Sequence, residues 1–120
     1  MKTTRQDFEL FQKCCRKWQN EFELNNWKLY FFHEKTGNKG QIVLTQEGYV
    51  ASVTLGTDWE HESVTPEEID DTARHEMIHL LLGRMSENGK NRYVDVDDIY
   101  NAEEETVRKI ERIVSKLTTK

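Results

Sequence analysis

The sequence predicts an α+β domain: one amphipathic helix, a three-stranded antiparallel sheet, then two further helices. Three observations lead there. Apolar residues recur at helical spacing between positions 8 and 22, apolar and polar residues alternate in short runs between 27 and 55, and a second helical period begins at the single proline and continues almost to the last residue.

The first helix opens at Thr4, whose hydroxyl can form a capping box with the Asp7 carboxylate. Phe8, Phe11, Cys15, Trp18 and Phe22 then trace one apolar face. Asn25 and Asn26 interrupt that period, and residues 27–32 follow as an aromatic-rich strand. Gly37-Asn38-Lys39-Gly40 reads as a hairpin turn into a second strand, residues 41–45, where Ile42 and Leu44 alternate with polar neighbours. Glu47-Gly48 marks another turn before a third strand, residues 49–55. Successive turns of this kind predict an antiparallel meander with one face on the helices. Thr65, Pro66, Glu67 and Glu68 form a helix start: a capping threonine, a proline at the first helical position, and two glutamates at the positive end of the dipole, Glu68 completing a capping box. Ile69, Ala73, Met77, Leu80 and Leu81 keep helical spacing, and Gly83 is the expected stop. Val107, Ile110, Val114 and Leu117 mark the last helix, with Asp97 or Asp98 as its cap.

At 120 residues the chain supports one domain, 1–120, around a single core. Its 17 Lys and Arg against 22 Asp and Glu leave a formal charge of -5. With no basic stripe to displace counterions from phosphates, a nucleic-acid partner is not expected. No apolar run approaches the ~20 residues that span a bilayer, so no membrane partner is expected either. The first residues lack the apolar core of a secretory signal. Cys14 and Cys15 are adjacent, a poor geometry for bridging each other, and one buried thiol beside one bystander is the expectation. These features suit a monomer in a reducing, cytoplasmic compartment.

Residues 75–79 read His-Glu-Met-Ile-His and carry most of the functional information. On a helix, His75 and His79 project from one face about a turn apart, so both imidazoles can reach one Zn²⁺ at roughly 2.0–2.1 Å. Glu76, beside the metal, is suited to take a proton from an activated water rather than to bind the ion. The helix start at Thr65 places this run in a helix interior, which the spacing requires.

A catalytic zinc site usually has three protein ligands and one open position. No histidine follows His79, and Leu82 and Met85 stand where a longer metzincin pattern would need Gly and His. The last helix is the best source of the third ligand. Counting back from its apolar residues puts Glu103 in the buried stripe, where a carboxylate needs a partner such as a metal ion. Glu104 lies toward the flank and is the alternative ligand; Glu105 points away and ranks third. The competing explanation for these glutamates is an acidic first turn that stabilises the helix N-terminus. Tyr100, one step before Glu103, is the candidate to stabilise the developing oxyanion, with Tyr93, His61 and Arg84 as other donors. Asp95, Asp97 and Asp98 lack the spacing and glycine of a calcium loop, and His33 is expected to be exposed.

The run from His75 to His79 with a glutamate on a later helix resembles the gluzincin arrangement, and the layout resembles the small single-domain metallopeptidases of bacteriophages and bacteria. The resemblance implies a minimal zincin-like fold, a Zn²⁺ cofactor, and hydrolysis of a peptide or protein substrate with Glu76 as general base. It also shows departures. Ala102 precedes Glu103 where a thermolysin-like enzyme has Asn, and Thr106-Val107 replaces Ser-Asp, so the groups that support the ligands must differ. SprT-like proteases resemble this helix but take a third histidine downstream, which this chain lacks. The strand at 49–55, just before the zinc helix, is the expected edge for an extended peptide. The alternative function is a zinc-binding regulatory or interaction module without hydrolytic activity.

Overall fold

In the computed structural model, the backbone is described for residues 1–45, 48–60, 63–90 and 96–118, and side chains for these except 84–90, 96–99, 101, 102, 105, 106, 109 and 118. The elements run α1 (Arg5–Glu21), β1 (Lys28–Glu34), β2 (Gly40–Thr45), β3 (Val50–Gly56), α2 (Pro66–Lys90) and α3 (Val96–Thr118). The capping box of α1 forms as its sequence indicates: Asp7 N–H donates to Thr4 Oγ1 at 3.1 Å, and Thr4 N–H donates to Asp7 Oδ2 at 2.8 Å.

The α+β class holds, but the sheet is mixed rather than an antiparallel meander. Strand order is β1-β3-β2, with β3 parallel to β1 and antiparallel to β2. The Gly37–Gly40 segment is therefore not a hairpin turn joining paired strands. It is held by Thr36 Oγ1, which donates to Asn38 O at 2.8 Å, and by Gly56 N–H, which donates to Lys39 O at 2.8 Å. Burial explains the order. Ala51, Val53 and Leu55 of β3 are fully buried, as a central strand should be, whereas Ile42 and Leu44 of β2 are half-buried and suit an edge. Among the described residues the sheet edges are β1 and β2, and β3, paired on both sides, is not the edge that could receive a peptide.

The inner face of the sheet, Leu29, Ala51, Val53 and Leu55, packs on one core with Phe11, Cys15 and Trp18 of α1 and Ile69, Ala73, Met77 and Leu80 of α2. Full burial of an aliphatic side chain is worth ~1.5–3 kcal/mol, so this core fixes α2 firmly against the sheet. Both cysteines are buried, not one; they face Asp70 and the core from adjacent positions on α1. His33, expected at the surface, is half-buried: its ring stacks on Phe8 at 5.0 Å and its Nε2 lies 2.7 Å from Thr3 Oγ1.

α2 starts at Pro66, with Glu68 N–H donating to Thr65 Oγ1 at 3.1 Å. The reciprocal half of the capping box is missing, because the Glu68 carboxylate reaches across to Lys39 Nζ at 2.9 Å. The helix does not stop at Gly83 but continues to Lys90. Gly83 is small for a packing reason: a Cβ there would collide with Leu44 Cδ1, so its absence lets β2 lie close against α2. α3 begins before the expected point, so Asp97 and Asp98 lie inside it and do not cap it. Among the described residues, no helix is long and apolar enough to cross a membrane.

Candidate metal centre

Between the edge strand β2 and the helices α2 and α3 lies a cleft of about 790 Å³. Its α2 wall is a helical stripe of Glu68, Asp71, Thr72, His75, Glu76 and His79; its α3 wall is Tyr100, Glu103, Glu104 and Glu111. Buried Val107 sits midway along that α3 face, in phase with Glu103, Glu104 and Glu111, which turns these carboxylates toward α2.

Each imidazole is held at both nitrogens. His75 Nδ1 lies 2.8 Å from Glu111 Oε2, and His79 Nδ1 lies 3.3 Å from Glu103 Oε1. On the opposite side, Glu104 straddles the pair, with Oε1 3.3 Å from His75 Nε2 and Oε2 3.0 Å from His79 Nε2. Among the described residues, His75, His79 and Glu104 are the group whose ligand atoms all lie within 4.8 Å of one another. An ionised carboxylate only accepts, so the Nδ1 contacts require both δ nitrogens to carry the proton. A neutral imidazole with Nδ1–H presents a bare lone pair at Nε2. Glu104 oxygens then face both Nε2 atoms, an arrangement satisfied either by a proton on each Nε2 or by a cation held between imidazoles and carboxylate.

The donor set fits zinc. Two imidazoles and a carboxylate are ligands that Zn²⁺ takes, and one ligand atom from each of His75, His79 and Glu104 lies within 4.8 Å of the others. Carboxylates on the far nitrogens fix the tautomer and ring orientation that metal binding by histidine requires.

The ligand-atom spacing groups Glu104, the alternative ligand, with the two histidines. Glu103 is the more buried, its side chain 12% exposed against 38% for Glu104, but it contacts His79 only at Nδ1. Tyr100 is half-exposed and lines the cleft. The side chains of Glu105 and Arg84, and all of Tyr93, His61 and Asp95, lie outside the described residues. Glu111 carries the shortest contact to an imidazole and was not singled out by sequence reasoning, although it stands seven residues after Glu104 on the same face. Gly40 was read only as a turn residue. A Cβ there would lie 2.9 Å from Thr72 Cγ2 and 3.3 Å from Glu76 Oε2, so the first residue of β2 is packed onto Glu76.

The electrostatics set Glu76 apart. It is 5% exposed, and burial holds its carboxyl above the usual range, against the pull of His75 and His79. His75 is raised, chiefly by its hydrogen bond to Glu111, and Glu111 is lowered by the same bond. The cysteines show the opposite of a reactive or ligating thiol: burial, then Asp70, pushes Cys14 up to about 11, and burial, then the charge of Glu76, pushes Cys15 well above the usual thiol range.

Comparison with protein-family models, curated proteins and solved structures finds no match. The meaning of the site therefore comes from its own residues.

Proposed function

We propose that the chain is a zinc-dependent peptide hydrolase of minimal zincin-like design, with His75, His79 and Glu104 as metal ligands and Glu76 as general base. One observation carries the reading: the Nε2 atoms of two histidines, whose Nδ1 atoms contact Glu111 and Glu103, converge on one carboxylate beside a buried glutamate. A zinc ion held there would supply Lewis acidity, bringing the pKa of a water toward about 7 and polarising a carbonyl.

The chain's own residues supply the rest. Glu76 accepts the proton of the attacking water and passes it to the departing amine, a role suited to a carboxyl whose proton affinity burial has raised. Its burial under Gly40 keeps bulk water from solvating it and aims it into the cleft. The strand edge can hold the peptide. Gly56 N–H bonds to Lys39 O, and antiparallel pairs alternate, so the backbone groups of Gly40, Ile42 and Leu44 turn away from β3 toward the free edge. An extended peptide adding there would cross in front of His75, Glu76 and His79. Tyr100, on the opposite wall, is placed to donate to the oxyanion.

The test is a metal count and a base knockout. Purified protein should carry about one zinc, and Glu76→Gln should keep it while abolishing peptide cleavage. A folded protein that stays metal-free in excess zinc overturns the reading, and so does a Glu76→Gln variant that cuts as fast as the wild type.

A further inference from the structure

Among the described residues six carboxylates line the cleft, on Glu68, Asp71, Glu76, Glu103, Glu104 and Glu111, against one ammonium, on Lys39. Lys39 pairs with Glu68 at 2.9 Å and Arg74, outside the lining, pairs with Asp71 at 2.9 Å, which offsets two of the charges and leaves four. A divalent ion at the histidines would offset two of them and leave two. The field of the whole chain has the same sign, since the formal charge is -5. Clefts lined by one sign of charge between low-dielectric walls concentrate ligands of the other sign.

Two further features show that this charge faces a ligand and is not merely a solvated surface. Glu76, 5% exposed, lines the cleft and receives no hydrogen bond among the described residues. The free backbone edge of β2 lies opposite the acidic stripe, so an extended chain held there is presented to these carboxylates.

The stripe also locates the charge. Asp71 is four residues before His75, about 6 Å along the helix axis, and Glu68 is about 10 Å away. An extended peptide advances ~3.3 Å per residue, so Asp71 lies roughly two residues from the reacting bond and Glu68 roughly three. Asp71 accepts from Arg74 Nη2 at 2.9 Å on one oxygen, and its side chain, 47% exposed, lines the cleft.

Resting on the hydrolase reading above, we propose that the substrates are cationic peptide segments, with an ammonium or guanidinium seated beside Asp71 about two residues from the scissile bond. Its source is a Lys or Arg side chain or a free amino terminus; the chemistry at Asp71 is the same.

Binding tests this without turnover. Fluorescent octapeptides are titrated into Glu76→Gln protein with zinc present, reading anisotropy at low and high salt. Four peptides are compared: blocked at both ends with Arg and Lys flanks, blocked and neutral, blocked with Glu flanks, and neutral with a free amino terminus. The expected result is at least tenfold tighter binding of the basic than of the neutral peptide, weaker binding of the acidic one, and an advantage that shrinks with salt. Asp71→Asn, checked for unchanged zinc content and melting, should cut the advantage several-fold. If the neutral peptide with a free terminus matches the basic one, the terminus is the cation and the proposal stands. Equal binding of basic, neutral and acidic peptides overturns it, as does binding of none, or an advantage that Asp71→Asn leaves intact. Wild-type protein that binds basic peptides but cuts none would overturn the hydrolase reading and leave the cation preference standing.

Discussion

Replacing Glu104 by Gln, and separately Glu103 and Glu111, should produce three different losses of zinc affinity. Structural zinc sites bind with ~10–16 kcal/mol shared over about four ligands, so one ligand is worth ~2.5–4 kcal/mol. Glu104, whose two oxygens lie 3.3 and 3.0 Å from the two Nε2 atoms, should therefore cost roughly 70- to 900-fold in Kd on substitution. Glu111 makes a contact of 2.8 Å to His75 Nδ1, within the range of a charge-assisted hydrogen bond, and removal of such a partner costs ~10–100-fold. The Glu103 contact to His79 Nδ1 is 3.3 Å, longer than a good N–H···O bond, so its loss should stay at or below the low end of that range, ~10-fold. Competition with a fluorescent zinc chelator at fixed pH reads all three. The reasoning fails if Glu103→Gln weakens zinc more than Glu104→Gln does, because the stripe position and not the Nε2 geometry would then identify the ligand.

Gly40→Ala should lower kcat while zinc content stays near one, because the new methyl presses on Thr72 and Glu76 and not on the imidazoles; peptide turnover beside a metal assay checks it. Gly83→Ala should destabilise by ~1–3 kcal/mol through overpacking on Leu44, and Leu44→Ala in the same chain should recover part of the loss, as thermal melts of the two single variants and the double variant would show. Asp70 provides a pH test. Burial raises its carboxyl, but hydrogen bonds from Lys17 Nζ at 2.9 Å and Trp18 Nε1 at 2.8 Å outweigh it, and the net shift is downward. A folded pKa below the unfolded one gives stability that is present above about pH 4 and is lost as pH falls through the folded value. Urea melts between pH 6 and 3 should show Asp70→Asn with a shallower acid decline than the wild type; parallel declines would refute the assignment.

Much of the site was legible because it is local. The spacing of His75, Glu76 and His79 fixes their geometry once the helix is granted, and Thr65 with Pro66 grants it. What was illegible depends on partners distant in sequence. Strand order is one such property: local alternation identifies β1, β2 and β3 but does not say that β3 takes the central seat, which follows from the full burial of Ala51, Val53 and Leu55 against two helices. Gly83 is another. Its signal as a helix stop was sound locally, and only the approach of Leu44 from β2 shows why a glycine stands inside a continuing helix.

The proposed choice of Glu104 over Glu103 weighs burial against ligand geometry. A buried carboxylate does need a partner, and Glu103 has one, the Nδ1 of His79. A catalytic metal, however, must keep an open position toward the cleft, so its ligands belong at the flank of the packed stripe, where substrate and water can reach. Glu104 occupies that flank, and Glu103 and Glu111 stand behind the imidazoles at their other nitrogens. On the proposed reading, the more buried carboxylates orient the histidines and the more exposed Glu104 is the ligand. The same logic separates Glu76, whose burial raises its affinity for a proton, from the more exposed Glu104.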